Sequence, residues 1–179
     1  MIRLSFATLA VRLAGALAAA SLAGCAADRD PPPGEPSFYR SMASAGAQLD
    51  AGTAASMISG YRHNNGLGEV AVDPALMKLA EAQARAMASR DKLDHDVIAG
   101  FSQRIKAGYD AKVAVENIGA GYHTLAEAFS GWRDSPPHRA NMLRKGVTRL
   151  GIAAVYAPHS KYKVFWSLIL AAPDDERRS

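Results

Sequence analysis

The sequence predicts an α+β protein: a three-layer α-β-α sandwich around a small central antiparallel sheet. Three observations lead there. Helical patterns fill the first part of the domain and strand patterns the last. The run Val164-Phe165-Trp166-Ser167-Leu168-Ile169-Leu170 is almost wholly apolar, so it reads as a strand buried on both faces, with helices on two sides. Pro158-His159-Ser160-Lys161 is a turn between that run and the strand pattern at 150–156, which makes the two an antiparallel pair.

The elements follow in order. Residues 38–49 have weak helical spacing, diluted by Ala, Ser and Gly. Residues 53–64 predict a helix with Ala54, Met57, Ile58 and Tyr61 on one face, stopped by Asn64-Asn65-Gly66. Asp73 caps a second helix and Pro74 suits its first turn. Leu76, Ala80, Ala84 and Met87 form its buried stripe, with Lys78, Glu81 and Arg85 off the stripe, and it ends near Arg90. A short helix is expected over 98–107 and a strand over 112–115. Thr124-Leu125-Ala126-Glu127 is a capping box, which accounts for Glu127 without chemistry. Leu125, Ala128, Phe129 and Trp132 supply the buried face of the helix it opens, and Pro136-Pro137 ends that helix. His138 falls just past this corner, where an imidazole can face a cleft.

The N-terminus reads as an export segment. Residues 1–24 carry Arg3 and Arg12 and no acid, then an apolar, small-residue run from 13 to 23. Leu22-Ala23-Gly24-Cys25 resembles a lipobox, in which Cys25 becomes the acylated first residue of the mature protein and holds it at a membrane. Ala26, standing where an Asp would favour inner-membrane retention, points to the outer membrane, facing the periplasm or the exterior. Residues 25–37, with Pro31-Pro32-Pro33-Gly34, form an extended tether. The domain covers 38–173, and 174–179 is a charged tail. Loss of Arg3 and Arg12 lowers the formal charge from +4 to +2, too little and too evenly spread to imply nucleic acid. No glycine-rich phosphate loop follows a strand. With Cys25 taken by lipid, no cysteine remains for a disulfide, so the domain relies on its core.

Three segments stand in register: His95 after the long helix, Glu116-Asn117-Ile118-Gly119, and Trp132-x-x-Ser135-x-x-His138-Arg139-x-Asn141-x-Leu143, followed by Leu150-Gly151-Ile152-Ala153. Together they resemble the bacterial branch of the CAP superfamily (cysteine-rich secretory proteins, antigen 5 and pathogenesis-related proteins) over residues 53–172. The resemblance implies the same α-β-α sandwich. It also implies a cleft with a tetrad of two His and two Glu. Matched residue by residue, these fall on His95, Glu116 and His138, while Ser135 stands where the second Glu is expected. The chain departs further at Ile58-Ser59, where members often carry His-Asn, and keeps only Tyr61-Arg62 of that motif.

Several uses of His95, Glu116 and His138 stay open. Two imidazoles, His95 and His138, can ligate Zn²⁺ or another divalent cation, with Glu116 either a ligand or the group that orients one. The same trio can serve acid–base work in a metal-assisted hydrolase. It can also be a hydrogen-bonded cross-link and nothing more. Ser135, before Pro-Pro, reads as a turn cap rather than a nucleophile. The resemblance adds a third class, a lipid-binding or protein-interaction module, because relatives bind lipids. The ligands expected are therefore a cation, a small polar molecule or a lipid.

Overall fold

The computed structural model describes residues 34–174. The export segment, Cys25, the Pro-rich run and all but the first residue of the charged tail lie outside the described residues.

The chain forms α1 (Ala51–His63), β1 (Ala71–Val72), α2 (Pro74–Arg90), α3 (Phe101–Gly108), β2 (Ala111–Ala120), α4 (Leu125–Asp134), α5 (Pro136–Met142), β3 (Arg149–Tyr156) and β4 (Val164–Pro173). The sheet runs β1-β3-β4-β2. β4 is central, antiparallel to both β3 and β2, as its apolar run requires. The sheet is nonetheless mixed, because the two-residue β1 pairs in parallel with β3, an element too short to leave a periodic signal.

Strand alternation divides the core into two layers. Leu168 and Leu170 of β4 pack with Ala54 and Ile58 of α1 and with Leu125, Ala128 and Trp132 of α4. Ile169 and Ala171 pack instead with Leu76, Ala80 and Ala84 of α2 and Ile105 of α3. α2 lies directly on β3, where a Cβ at Gly151 would run into the backbone of Leu76. Trp132 and Trp166 meet edge to face at 6.4 Å.

The caps place the helix ends. Asp73 accepts from the N–H groups of Ala75 and Leu76, and the Thr124–Glu127 capping box is complete. α1 starts two residues before the expected Thr53, because Asp50 is its N-cap and accepts from the Thr53 N–H. Those bonds, with the Thr53 and Ser37 hydroxyls, hold the Asp50 carboxyl down at about 2. Residues 38–49 form no α-helix: only a 3-10 turn, Ser37–Tyr39, precedes α1. α3 begins at Phe101, after Gly100, and leaves Ile98 exposed. β2 extends through Ala120, so Glu116-Asn117-Ile118-Gly119 is strand. The prolines do more than end a helix. Pro136 stops α4 and also opens α5, since its missing N–H costs nothing at a first helical position.

Candidate functional site

β2 is an edge strand, and the site is built around it. Strand alternation sends Glu116 to the α2–α3 face, level with Ile169 of β4, and Asn117 to the opposite face, level with Leu168. The two neighbours therefore anchor two different walls.

On the first wall, the Glu116 side chain is buried, with 1% exposure, and its carboxylate is almost surrounded. Arg104 Nη2 of α3 donates to both oxygens at 3.0 and 2.9 Å, and Ser167 Oγ lies 3.5 Å away. His95 Nδ1 stands 2.8 Å from Oε2. An ionised carboxylate only accepts, so in the neutral imidazole this contact puts the proton on Nδ1 and leaves Nε2 bare. The hydrogen bond to Glu116 raises the pKa of His95 above its ordinary value; partial burial opposes it. The imidazole remains 48% exposed, so it is held from behind and open in front.

The loop carrying His95 is fixed through its backbone. Gln83 of α2, fully buried, donates to the carbonyls of Asp94 (2.8 Å) and His95 (3.2 Å). Arg104 donates to the carbonyls of Ala99 (3.1 Å) and His95 (3.1 Å) and stacks on Phe101. Two buried atoms of these residues, Gln83 Oε1 and Arg104 Nη1, have no partner among the described residues.

On the second wall, Asn117 Nδ2 donates to the His138 carbonyl (2.9 Å). Asn141 Nδ2 donates to the Glu116 carbonyl (3.0 Å) and to Asn117 Oδ1 (2.9 Å). These bonds fasten α5 along β2 and satisfy one carbonyl of its free edge, that of Glu116. His138, in the first turn of α5, is half-buried. Burial lowers its pKa, and repulsion from His95 lowers it further.

The structure thus joins His95 to Glu116 directly and brings His138 within electrostatic reach. Ser135 links α4 to α5 but makes no side-chain cap bond, and no hydrogen bond joins it to His138. Its extended backbone follows from the proline after it rather than from capping. Glu116 bonds no loop N–H group, since it sits mid-strand with its side chain in the core. No group of three or more His, Cys, Asp and Glu stands ready to hold a metal among the described residues. The Glu116 oxygens are already engaged by Arg104 and His95.

Sequence reasoning missed Arg104 and Gln83. A signal existed. Gln83 falls between Ala80 and Met87 at helical spacing, and Arg104 lies three residues after Phe101, so each is a polar side chain on an apolar stripe.

Comparison with known proteins supports this fold. Residues 55–170 match the family model of the cysteine-rich secretory protein family, CAP. YkwD of Bacillus subtilis (strain 168) is 31% identical over 97 residues, covering 52% of this chain and 38% of YkwD. An extracellular SCP-domain protein of Bacillus anthracis str. Ames superposes with a TM-score of 0.60 at 23% identity, covering 69% of this chain and 41% of that one. An outer surface protein of Borrelia burgdorferi superposes with a TM-score of 0.61 at 18% identity, covering 72% of this chain and 98% of that one. The chain spans less than half the length of the two Bacillus proteins. The family match takes in His95, Glu116 and His138, and the chain belongs to the CAP, cysteine-rich secretory protein, family.

Proposed function

We propose that the chain is an exported CAP-domain protein, lipid-anchored at Cys25 in the bacterial envelope, whose cleft binds a divalent cation such as Zn²⁺ weakly through His95 and His138. The supporting observation is the Glu116 carboxylate 2.8 Å behind His95 Nδ1, a contact that orients a metal-binding imidazole and strengthens its free nitrogen. Two protein donors make an open site, with the remaining positions left to water or to a small polar ligand. Glu116 is then the group that aims His95, and Arg104 and Ser167 hold Glu116.

Calorimetry with Zn²⁺ at neutral pH tests this. The expected result is one ion per chain, lost in His95→Ala and in His138→Ala variants that keep their circular dichroism. Glu116→Gln should bind about 10–100-fold more weakly. Equal binding by the wild type and both histidine variants, or none by the wild type, defeats the reading. The anchor is tested separately, by mass spectrometry of the membrane-extracted chain: a lipid on Cys25 is expected, and Cys25→Ser should not yield a lipidated form.

A second reading, metal-assisted hydrolysis in the same cleft, rests on the same Glu116–His95 contact, which would orient a ligand of a hydrolytic metal. It predicts zinc-dependent cleavage of peptide or ester substrates that either histidine variant abolishes.

A further inference from the structure

A second surface lies apart from the cleft wall that holds His95. From Ser135 to Pro173 the chain contains no Asp or Glu, and Arg139, Arg144, Lys145 and Arg149 crowd the first part of that stretch. All four are exposed. None forms an ion pair among the described residues.

The fold aims them outward. Arg62 lies beneath, buried, and donates Nη1 to the carbonyls of Met142 and Arg144 (both 2.9 Å) and Nη2 to that of Val147 (3.2 Å). With these carbonyls drawn inward and Gly146 turned at φ 84°, the loop presents Arg144 and Lys145 to solvent. Arg62 meets no carboxylate among the described residues, so its charge adds to theirs from behind. Four acids lie at this end: exposed Glu69, half-buried Asp110 and Asp174, which have partners of their own, and exposed Asp134, which is paired with Arg133 and also feels the charge of Arg139. No charged side chain here closes a pocket around a single anion. The four cations are strung along α5, the loop and the start of β3.

Position narrows the partner. Arg149 opposes Ala171, at the end of the sheet where β4 finishes. The domain begins at the other end: the Met42 N–H donates to the His123 carbonyl, just past the last residue of β2, and Ala120 of β2 opposes Phe165 at the start of β4. The first described residues thus lie at the end away from the basic corner.

We propose that Arg139, Arg144, Lys145 and Arg149 form a docking surface for an anionic polymer bearing repeated phosphate or carboxylate groups, rather than for the leaflet that anchors the chain. Strung cations match repeated charges, and each contact releases counterions, so binding weakens steeply with salt.

The test uses the full chain in detergent with two probes, inorganic polyphosphate and polygalacturonate, and with vesicles containing anionic phospholipid. The wild type should bind at least one polymer, with affinity falling as salt rises. The variant R139Q/R144Q/K145Q/R149Q should lose about tenfold or more at low salt, and Arg144→Glu alone should lose several-fold. R40Q/K78Q/K106Q/K161Q, which removes four exposed cations elsewhere, should change affinity by less than about twofold. Three results overturn the proposal: no binding to either polymer, an equal loss in the control variant, or vesicle binding that alone depends on the four residues.

Discussion

Two buried arginines show what separates a staple from a site. Arg62 is 1% exposed and gives four hydrogen bonds to carbonyls, those of Gly68, Met142, Arg144 and Val147. It joins α1 to the chain between α5 and β3 and meets no side chain among these bonds. Burial lowers its pKa, with no anion to offset the loss of water. Arg104 is 8% exposed and divides its donors between the carbonyls of His95 and Ala99 and the Glu116 carboxylate, leaving Nη1 without a partner. One guanidinium holds chain to chain. The other holds a carboxylate whose hydrogen bond to Nδ1 of His95 sets an open imidazole. Burial alone would not tell them apart; the bonding partners do.

Changes at these residues should separate the roles. Arg62→Met is expected to have the largest effect, a loss of about 3–5 kcal/mol, because it orphans several buried carbonyls at once. Denaturant unfolding measures it, and no single second substitution should restore it. Arg104→Met should cost about 3 kcal/mol, because Glu116 is left buried beside no cation. Here a rescue is expected: adding Glu116→Gln should recover most of the loss in a double-mutant cycle. A rescue at Arg62, or none at Arg104, would erase the distinction drawn here.

The glutamates give a smaller contrast. Glu127 closes the α4 cap and also accepts from the His123 N–H, so Thr124→Ala should cost about 1 kcal/mol, and Glu127→Gln, which keeps an acceptor for both N–H groups, less. Neither should alter zinc binding.

The smallest effects are in pH dependence. His95 has a raised folded pKa, so its contribution is present below the unfolded value of about 6.5 and is lost as pH rises through the folded value. His138 has a lowered one, so its contribution is present above the unfolded value and is lost as pH falls below it through the folded value. The slopes oppose each other in the wild type. His138→Ala should expose a stability that declines with rising pH, and His95→Ala one that declines with falling pH. Solvent screening keeps both well below about 1 kcal/mol, since His95 is about half exposed.

Much of this was legible in the residues. The Asp73–Pro74 start of α2, the Thr124–Glu127 box and the doubly buried β4 each carry strong local signals, and all three stand as read. His95, Glu116 and His138 could be named, but the role of Glu116 could not. Whether that carboxylate faces a ligand or the core depends on Arg104 and Ser167, which lie far from it in sequence or on another strand. β1 and α5 escaped for a different reason: two and seven residues are too few for a period to emerge, and Pro-Pro signals a stop as readily as a start.

The central claim is that Glu116, clamped by Arg104, fixes the proton of His95 on Nδ1 and turns Nε2 outward. Long-range ¹⁵N–¹H NMR of the imidazoles, at a pH above the raised His95 value, reads this directly. The account predicts a protonated Nδ1 and bare Nε2 at His95 in the wild type, with that preference lost in Glu116→Gln. A wild-type His95 carrying its proton on Nε2 would contradict it.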